Sequence, residues 1–306
     1  NLSFTALTSA TVNWTVNGIV QAPFNWTGNL AYNDTIAITP GSIPFTDLAA
    51  YNVKAWVSNL NNTGKPAEHD TISSSFSTSL SGMYTVGGSS PKFIDLTTAL
   101  TALHERGVCG PVVFNLRAGV YKESLSLLDV KGLSSTNTLT LTSEDENPAS
   151  VTIYSTSNKA ALKLEHVSFV FVRNITVGDV ASVAQVPLIQ YTEGCHHLEI
   201  KNCTFSAGHQ TVVRTVPSIV NTFDYPSDIR FLHNTFNSGS NNFFLGGGTT
   251  VRIEENVFKN VTGGYIYFES IDSLYYLNNL FTGAGGALTQ LSFCRNITAK
   301  GNKFYN

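Results

Sequence analysis

Apolar and polar positions alternate with a period of two through most of this chain, and a helical period shows in one place only. Thr11-Val12-Asn13-Trp14-Thr15-Val16 alternates and stops at Asn17-Gly18, a pair suited to the positive-φ corner of a tight hairpin. Strand-like runs follow at Thr35-Ile36-Ala37-Ile38 and Tyr51-Asn52-Val53-Lys54-Ala55-Trp56-Val57, separated by Pro40-Gly41 and other turn residues. No amphipathic helix interrupts them, so residues 1–72 are expected to form a small β-sandwich. It would lack its first strand, because Asn1 enters close to the Trp14 strand. Ser/Thr-rich residues 73–82 read as a linker into a second region, 83–306. There Leu96, Ala99, Leu100 and Leu103 fall at i, i+3, i+4 and i+7, with Asp95 as N-cap and Gly107 past the end. This spacing predicts a single short helix over 95–106, followed by short strands and turns within 111–127 and 136–154.

From residue 164 the chain repeats. Anchored on Asn174, Cys203, Asn234, Asn256, Asn279 and Asn302, the units are spaced 29, 31, 22, 23 and 23 residues. Two positions after the anchor stand Thr176, Phe205, Phe236, Phe258, Phe281 and Phe304. Five before it come Phe169, Leu198, Ile229, Val251, Leu274 and Ile297; three before it, Phe171, Ile200, Phe231, Ile253, Tyr276 and Ala299. The position six before it is small or polar in every unit: Ser168, His197, Asp228, Thr250, Ser273, Asn296. A unit of this size cannot close a core alone, but units stacked about 4.8 Å apart bury continuous columns of like residues. The Phe column would stack on itself, and inward Asn amides would bond from one unit to the next. The longer spacings place insertions around 179–186 and 209–221. The expected fold class is therefore all-β: a right-handed parallel β-helix with the 95–106 helix covering its open first edge.

Composition narrows the role. Of 306 residues 42% are hydrophobic, enough for a large core, while only 13% are charged, so neutral polar side chains supply the surface. A net charge of −3 without blocks of like charge argues against nucleic-acid or anionic-membrane partners. No apolar run reaches the length of a membrane span. The start lacks an initiator Met and reads as a mature or excised segment, and both ends look like cuts in something longer or contact points with another chain. Cys109, Cys195, Cys203 and Cys294 do not space as a disulfide scaffold or zinc knuckle. Cys195 and Cys294 would lie about 19 Å apart at about 4.8 Å per coil, beyond disulfide reach. Cys203 should be a buried thiol in the Asn column, and Cys109 should stay reduced.

Phe93-Ile94-Asp95-Leu96-Thr97-Thr98-Ala99-Leu100, Val112-Val113-Phe114 and Ala118-Gly119-Val120-Tyr121-Lys122-Glu123 together resemble the capping helix and first coil of the pectin-lyase-like β-helix superfamily. The front segment, with Trp14-Thr15-Val16-Asn17-Gly18 and Tyr51-Asn52-Val53-Lys54-Ala55-Trp56, resembles Ig-like modules of large secreted proteins from the Bacteroidota. The resemblance implies an Ig-like sandwich before a β-helix, a secreted or cell-surface setting and type IX secretion. It implies no single activity, since this fold hosts lyases, hydrolases, esterases, adhesins and passive fibres. Asp34-Thr35-Ile36, Asp70-Thr71-Ile72 and Asp272-Ser273-Leu274 match the Asp-Thr/Ser-aliphatic sites at which such exported proteins carry O-glycans, giving Thr35, Thr71 and Ser273 as acceptors.

The candidate chemistry sits ten positions before the anchor, where Glu193 and Asp224 fall on adjacent coils, with His209 on the insertion that follows Glu193 and Arg214 beyond it. Paired carboxylates run retaining glycoside hydrolysis or hold Ca²⁺. The motifs of the enzyme families do not appear: there is no Asn-Thr-Asp, Asp-Asp or Arg-Ile-Lys of polygalacturonases, and Gly208-His209-Gln210 departs from their Gly-His-Gly. The pectin methylesterase Gln-Asp-Thr and the three-Asp calcium cluster of pectate lyases are missing too. His196-His197 are successive strand residues, which point to opposite faces and so rarely share an ion. Tyr265, Tyr267, Phe268 and Tyr275 offer a sugar-stacking strip or ordinary β-surface. No cofactor or metal is expected. The favoured function is a non-catalytic structural or adhesive module of a long extracellular surface protein, a fibre, appendage or adhesin. Its partners would be neighbouring domains, copies of itself in a homo-oligomer or fibre, and glycans. The alternative is a polysaccharide lyase or glycoside hydrolase using Glu193, Asp224 and His209.

Overall fold

Asn17 and Gly18 both take positive φ, 49° and 80°, and fold Val16 back onto Ile19. This is the tight hairpin that their sequence predicts, as seen in a computed structural model. The structure describes residues 1–64, 71–155, 159–179, 187–192, 194–207, 213–216, 224–238, 243–260, 265–283 and 288–305. These fall into two units, Asn1–Ser79 and Leu80–Asn306.

In the first unit, strand Leu7–Val16 pairs antiparallel with Ile19–Val20, Phe24–Leu30 and Ala50–Ser58, and the last pairs with Ile72–Ser77. Ala10, Val12, Trp14 and Val16 alternate into the interior. Residues 31–49 contain no strand and cover this face where a second sheet was expected. Tyr51 accepts a 2.6 Å bond from the Thr46 amide and meets Phe45 edge-on at 5.1 Å. Gly41 lies so close over Trp14 that a Cβ there would come within 2.6 Å of the indole. The described residues thus form one sheet, and Thr35 to Ile38 is not a strand; Ile36 is 55% exposed. The linker expectation is also corrected. Residues 72–77 are a sheet edge, Leu80–Val86 begins the second unit, and the division falls at 79/80. An edge strand exposed on both faces carries no apolar alternation, so its sequence looks like a linker.

The second unit opens as predicted. The helix runs Leu96–Arg106, the Asp95 carboxylate accepts from the Thr98 amide at 2.7 Å, and Gly107 at φ 66° ends it. Leu96, Ala99, Leu100 and Leu103 are buried against strands Leu80–Val86 and Leu125–Leu128. Beyond it the chain is a parallel β-helix of about seven turns. One face stacks Val108–Leu116, Leu139–Ser143, Ser168–Arg173, His196–Lys201 and Ser227–Leu232. A second stacks eight short strands from Gly119–Tyr121 to Lys303–Tyr305. A third stacks Leu125–Leu128, Leu162–Glu165, Ile189–Thr192 and Val213–Val216. The long strands Phe243–Glu254 and Tyr265–Leu277 continue through the bend and serve both the first and third faces. Among the described residues no helix is long and apolar enough to cross a membrane.

The register confirms the columns from the second unit of the repeat onward. Phe205, Phe236, Phe258, Phe281 and Phe304 stack face to face, with neighbouring centroids 5.0, 4.9, 4.7 and 4.5 Å apart. Asn256 is fully buried, and its amide donates to the Phe231 carbonyl at 2.9 Å and to Asn279 Oδ1 at 3.1 Å. Its own Oδ1 accepts from the backbone and side chain of Asn234 at 2.8 and 3.0 Å. Asn279 and Asn302 repeat the pattern, and Asn234 Oδ1 accepts the Cys203 amide at 2.9 Å.

The first unit of the repeat is shifted by one. Val170, Val172 and Thr176 pair with Leu198, Ile200 and Thr204, so Ile175, not Asn174, occupies the inward position before Cys203. Asn174 sits instead in an outer corner column with Asn202, His233, Glu255, Asn278 and Gly301, all at positive φ. Phe169 and Phe171 accordingly face outward. Apolar residues alternate on both faces of Phe169-Val170-Phe171-Val172, so periodicity alone fits either register.

Candidate functional site

Of the three sequence candidates, Asp224 is described, while Glu193 and His209 lie outside the described residues. Asp224 precedes the bend into strand Ser227–Leu232, where Pro226 is buried and fixes the turn. Its carbonyl accepts the Gly194 amide at 2.7 Å from the coil before. His196 opens strand His196–Lys201 and pairs in register with Ser168 on one side and Ser227 on the other. The imidazole is held at both nitrogens: Nε2 lies 3.1 Å from Asp224 Oδ1, and Nδ1 lies 2.7 Å from Ser227 Oγ. The Asp224 side chain is 59% exposed and that of His196 26%, so the group opens to solvent at the edge of the stack. Asp224 therefore meets His196, one of the two adjacent histidines that sequence reasoning passed over. The repeat places His196 and Ser227 in one column, seven positions before their anchors, but gives no sign of Asp224, which stands ten before its own.

A second cluster lies on the next residues along the same strands. His197 Nδ1 is 2.9 Å from Asp228 Oδ2, and Arg230 binds Asp228 through Nε at 2.7 Å and Nη2 at 2.9 Å. Phe169 stacks on the His197 ring at 4.5 Å. On the adjoining column Arg173 reaches Glu199 at 2.7 Å. Burial works to raise the Asp228 pKa, but the hydrogen bonds from Arg230 and His197 outweigh it and hold the carboxyl below its ordinary value. The same bond to Asp228 raises Arg230. Asp228 is bound by Arg230 within its own strand and by His197 from the coil before, and the second contact ties coil to coil. The two adjacent histidines have separate partners, and no group of three metal-ligating side chains occurs among the described residues.

No family model and no curated protein matches this chain. Solved structures with some likeness are catalytic domains of GH87 α-1,3-glucanase. One in complex with tetrasaccharides has a TM-score of 0.24 at 11% identity, over 97% of this chain and 87% of that one. One in complex with nigerose has 0.19 at 10%, over the same shares. Likeness at this level transfers no residue and no activity.

The proposed aromatic strip does not assemble. Phe268 is fully buried, and Tyr267 stacks on Phe244 at 5.1 Å, which turns ring edges rather than faces outward. Tyr275 lies under the Arg252 guanidinium at 4.1 Å, and the Tyr265 side chain lies outside the described residues. Arg214 is described in its backbone only. Thr35 and Thr71 are exposed, whereas Ser273 is half-buried within Tyr265–Leu277; Asp70 lies outside the described residues. None of the cysteines is in a disulfide among the described residues; Cys109 is exposed and Cys195 and Cys203 are buried. Burial raises the Cys195 thiol and pushes Cys203 up to about 12. An open cavity of about 500 Å³ between the last bends is lined by Ser270, Ile271, Asp272, Phe293, Cys294 and Arg295.

Proposed function

We propose that this chain is a structural and adhesive module of an extracellular surface protein, its coil stack serving as a stiff spacer between neighbouring domains or copies. The observation that supports this reading is the axial continuity of the ladders, from Asn234 to Asn302 and from Phe205 to Phe304. Each coil passes buried hydrogen bonds and ring contacts to the next, so bending the stack breaks bonds as well as packing. Polar side-chain contacts on the outer face work along the same axis, through Arg173–Glu199 and His197–Asp228. Low charge with a neutral polar surface suits a protein exposed outside the cell.

Polysaccharide cleavage remains the second reading, favoured by one observation: Asp224 presents an exposed carboxylate already paired with an imidazole. Intact mass and negative-stain images of native material decide between the two. A parent chain of several hundred kilodaltons in fibres or surface projections is expected. A free monomer of about this length, with polysaccharide cleavage lost in Asp224→Ala, overturns the structural reading.

A further inference from the structure

We propose that Ser227, His196 and Asp224 form a hydrolytic relay that cleaves short-chain acyl esters, with Ser227 as nucleophile. The carboxylate of Asp224, 3.1 Å from Nε2, can only accept, so it draws the ring proton to that nitrogen. Nδ1 is then left as a lone pair 2.7 Å from Ser227 Oγ, the polarity that general-base activation of a hydroxyl needs. The opposite tautomer would face a nitrogen lone pair to a carboxylate. Three elements fix the geometry: the bend before Ser227–Leu232, the start of His196–Lys201, and the register that places His196 beside Ser227. Such a nucleophile, base and orienting acid is recognised by geometry and roles rather than by sequence order.

The step balances without a cofactor. Ser227 Oγ bonds to the acyl carbon as its proton passes to His196 Nδ1, and Asp224 offsets the charge on the imidazolium. The ester C–O bond breaks, and the leaving alkoxide takes the proton back from Nδ1. Water, deprotonated by the same nitrogen, then releases the acid and restores Ser227. Thr249, exposed and in register with Ser227 about one rung of 4.8 Å along the stack, is the neighbouring hydroxyl residue that we assign as donor to the developing oxyanion. Asp224 and Tyr225 are both exposed, so the site is reached from solvent, which suits a small acyl group such as acetate.

The relay is independent of the spacer role, and either can fail alone. The test uses the full chain with p-nitrophenyl acetate and a fluorophosphonate probe, read by release of nitrophenol and by intact mass with peptide mapping. Expected are one adduct, on Ser227, and turnover that falls at least about 100-fold in Ser227→Ala and His196→Gln and about 10-fold or more in Asp224→Asn. Circular dichroism checks that the variants are folded, and adduct mapping on the unaltered chain holds even if one is not. Turnover equal in the wild type and folded Ser227→Ala, or an adduct only at another residue, overturns the proposal.

Discussion

Asn256 carries more of this fold than its size suggests. Its amide bonds to the coils on both sides, and the backbone N–H of Asn234 has Asn256 Oδ1 as its acceptor. Replacing it with Ala strands that buried N–H and the Phe231 carbonyl. Asn256→Ala is therefore expected to cost about 2–4 kcal/mol, read as a lower urea midpoint with the coil fold retained by circular dichroism. The Asn and Phe columns were legible in sequence because the same residue type recurs where stacking puts it in contact with itself. The His196–Asp224 contact was not legible. Adjacent histidines read as a turn, and only the register shows that one faces Ser227 while its neighbour faces Asp228.

Between strands, the clearest cross-coil tie joins His197 to Asp228, which Arg230 of the same strand also binds. Its carboxyl is held below its ordinary value in the folded chain, so the group binds a proton more readily when unfolded. Its contribution to stability is then full above the unfolded carboxylate range, about pH 4, and is lost as the pH falls through the folded value. Urea midpoints measured from pH 7 to pH 2 are expected to show Asp228→Asn less stable than the wild type at neutral pH, the gap closing in acid. A gap that stays constant with pH excludes this linkage. The same scale shows where elements misled sequence reading. The helix was legible to the residue because Asp95 and Gly107 mark its ends chemically. Ile72–Ser77 was not, because every one of its residues is exposed and its Ser-rich sequence carries no apolar alternation to mark the pairing with Ala50–Ser58.

Across the β-helix as a whole, each coil is stabilised only by its neighbours, so stability should vary along the stack. Asn234, Asn256 and Asn279 are completely buried, whereas every residue of Thr298–Lys300 and Lys303–Tyr305 is exposed. Amide hydrogen exchange is expected to be slowest in 229–236, 251–258 and 274–281 and faster by at least tenfold in 298–305. Uniform protection across these coils would show a single cooperative unit instead.

The sequence by itself determined the β-helix architecture of the second region, read as 83–306, because from residue 164 a repeated coil writes its buried columns into the chain once per turn. It also determined the helix that covers the first coil and the hairpin at Asn17-Gly18. Only the tertiary structure decided the phase of the first repeat unit, where Ile175 rather than Asn174 turns inward. It alone replaced the second sheet of the front unit with the strandless cover 31–49. It also selected, from the scattered acids and histidines, the Asp224–His196–Ser227 contact. Those outcomes depend on contacts between residues of unlike type on different coils or loops, which no periodicity records.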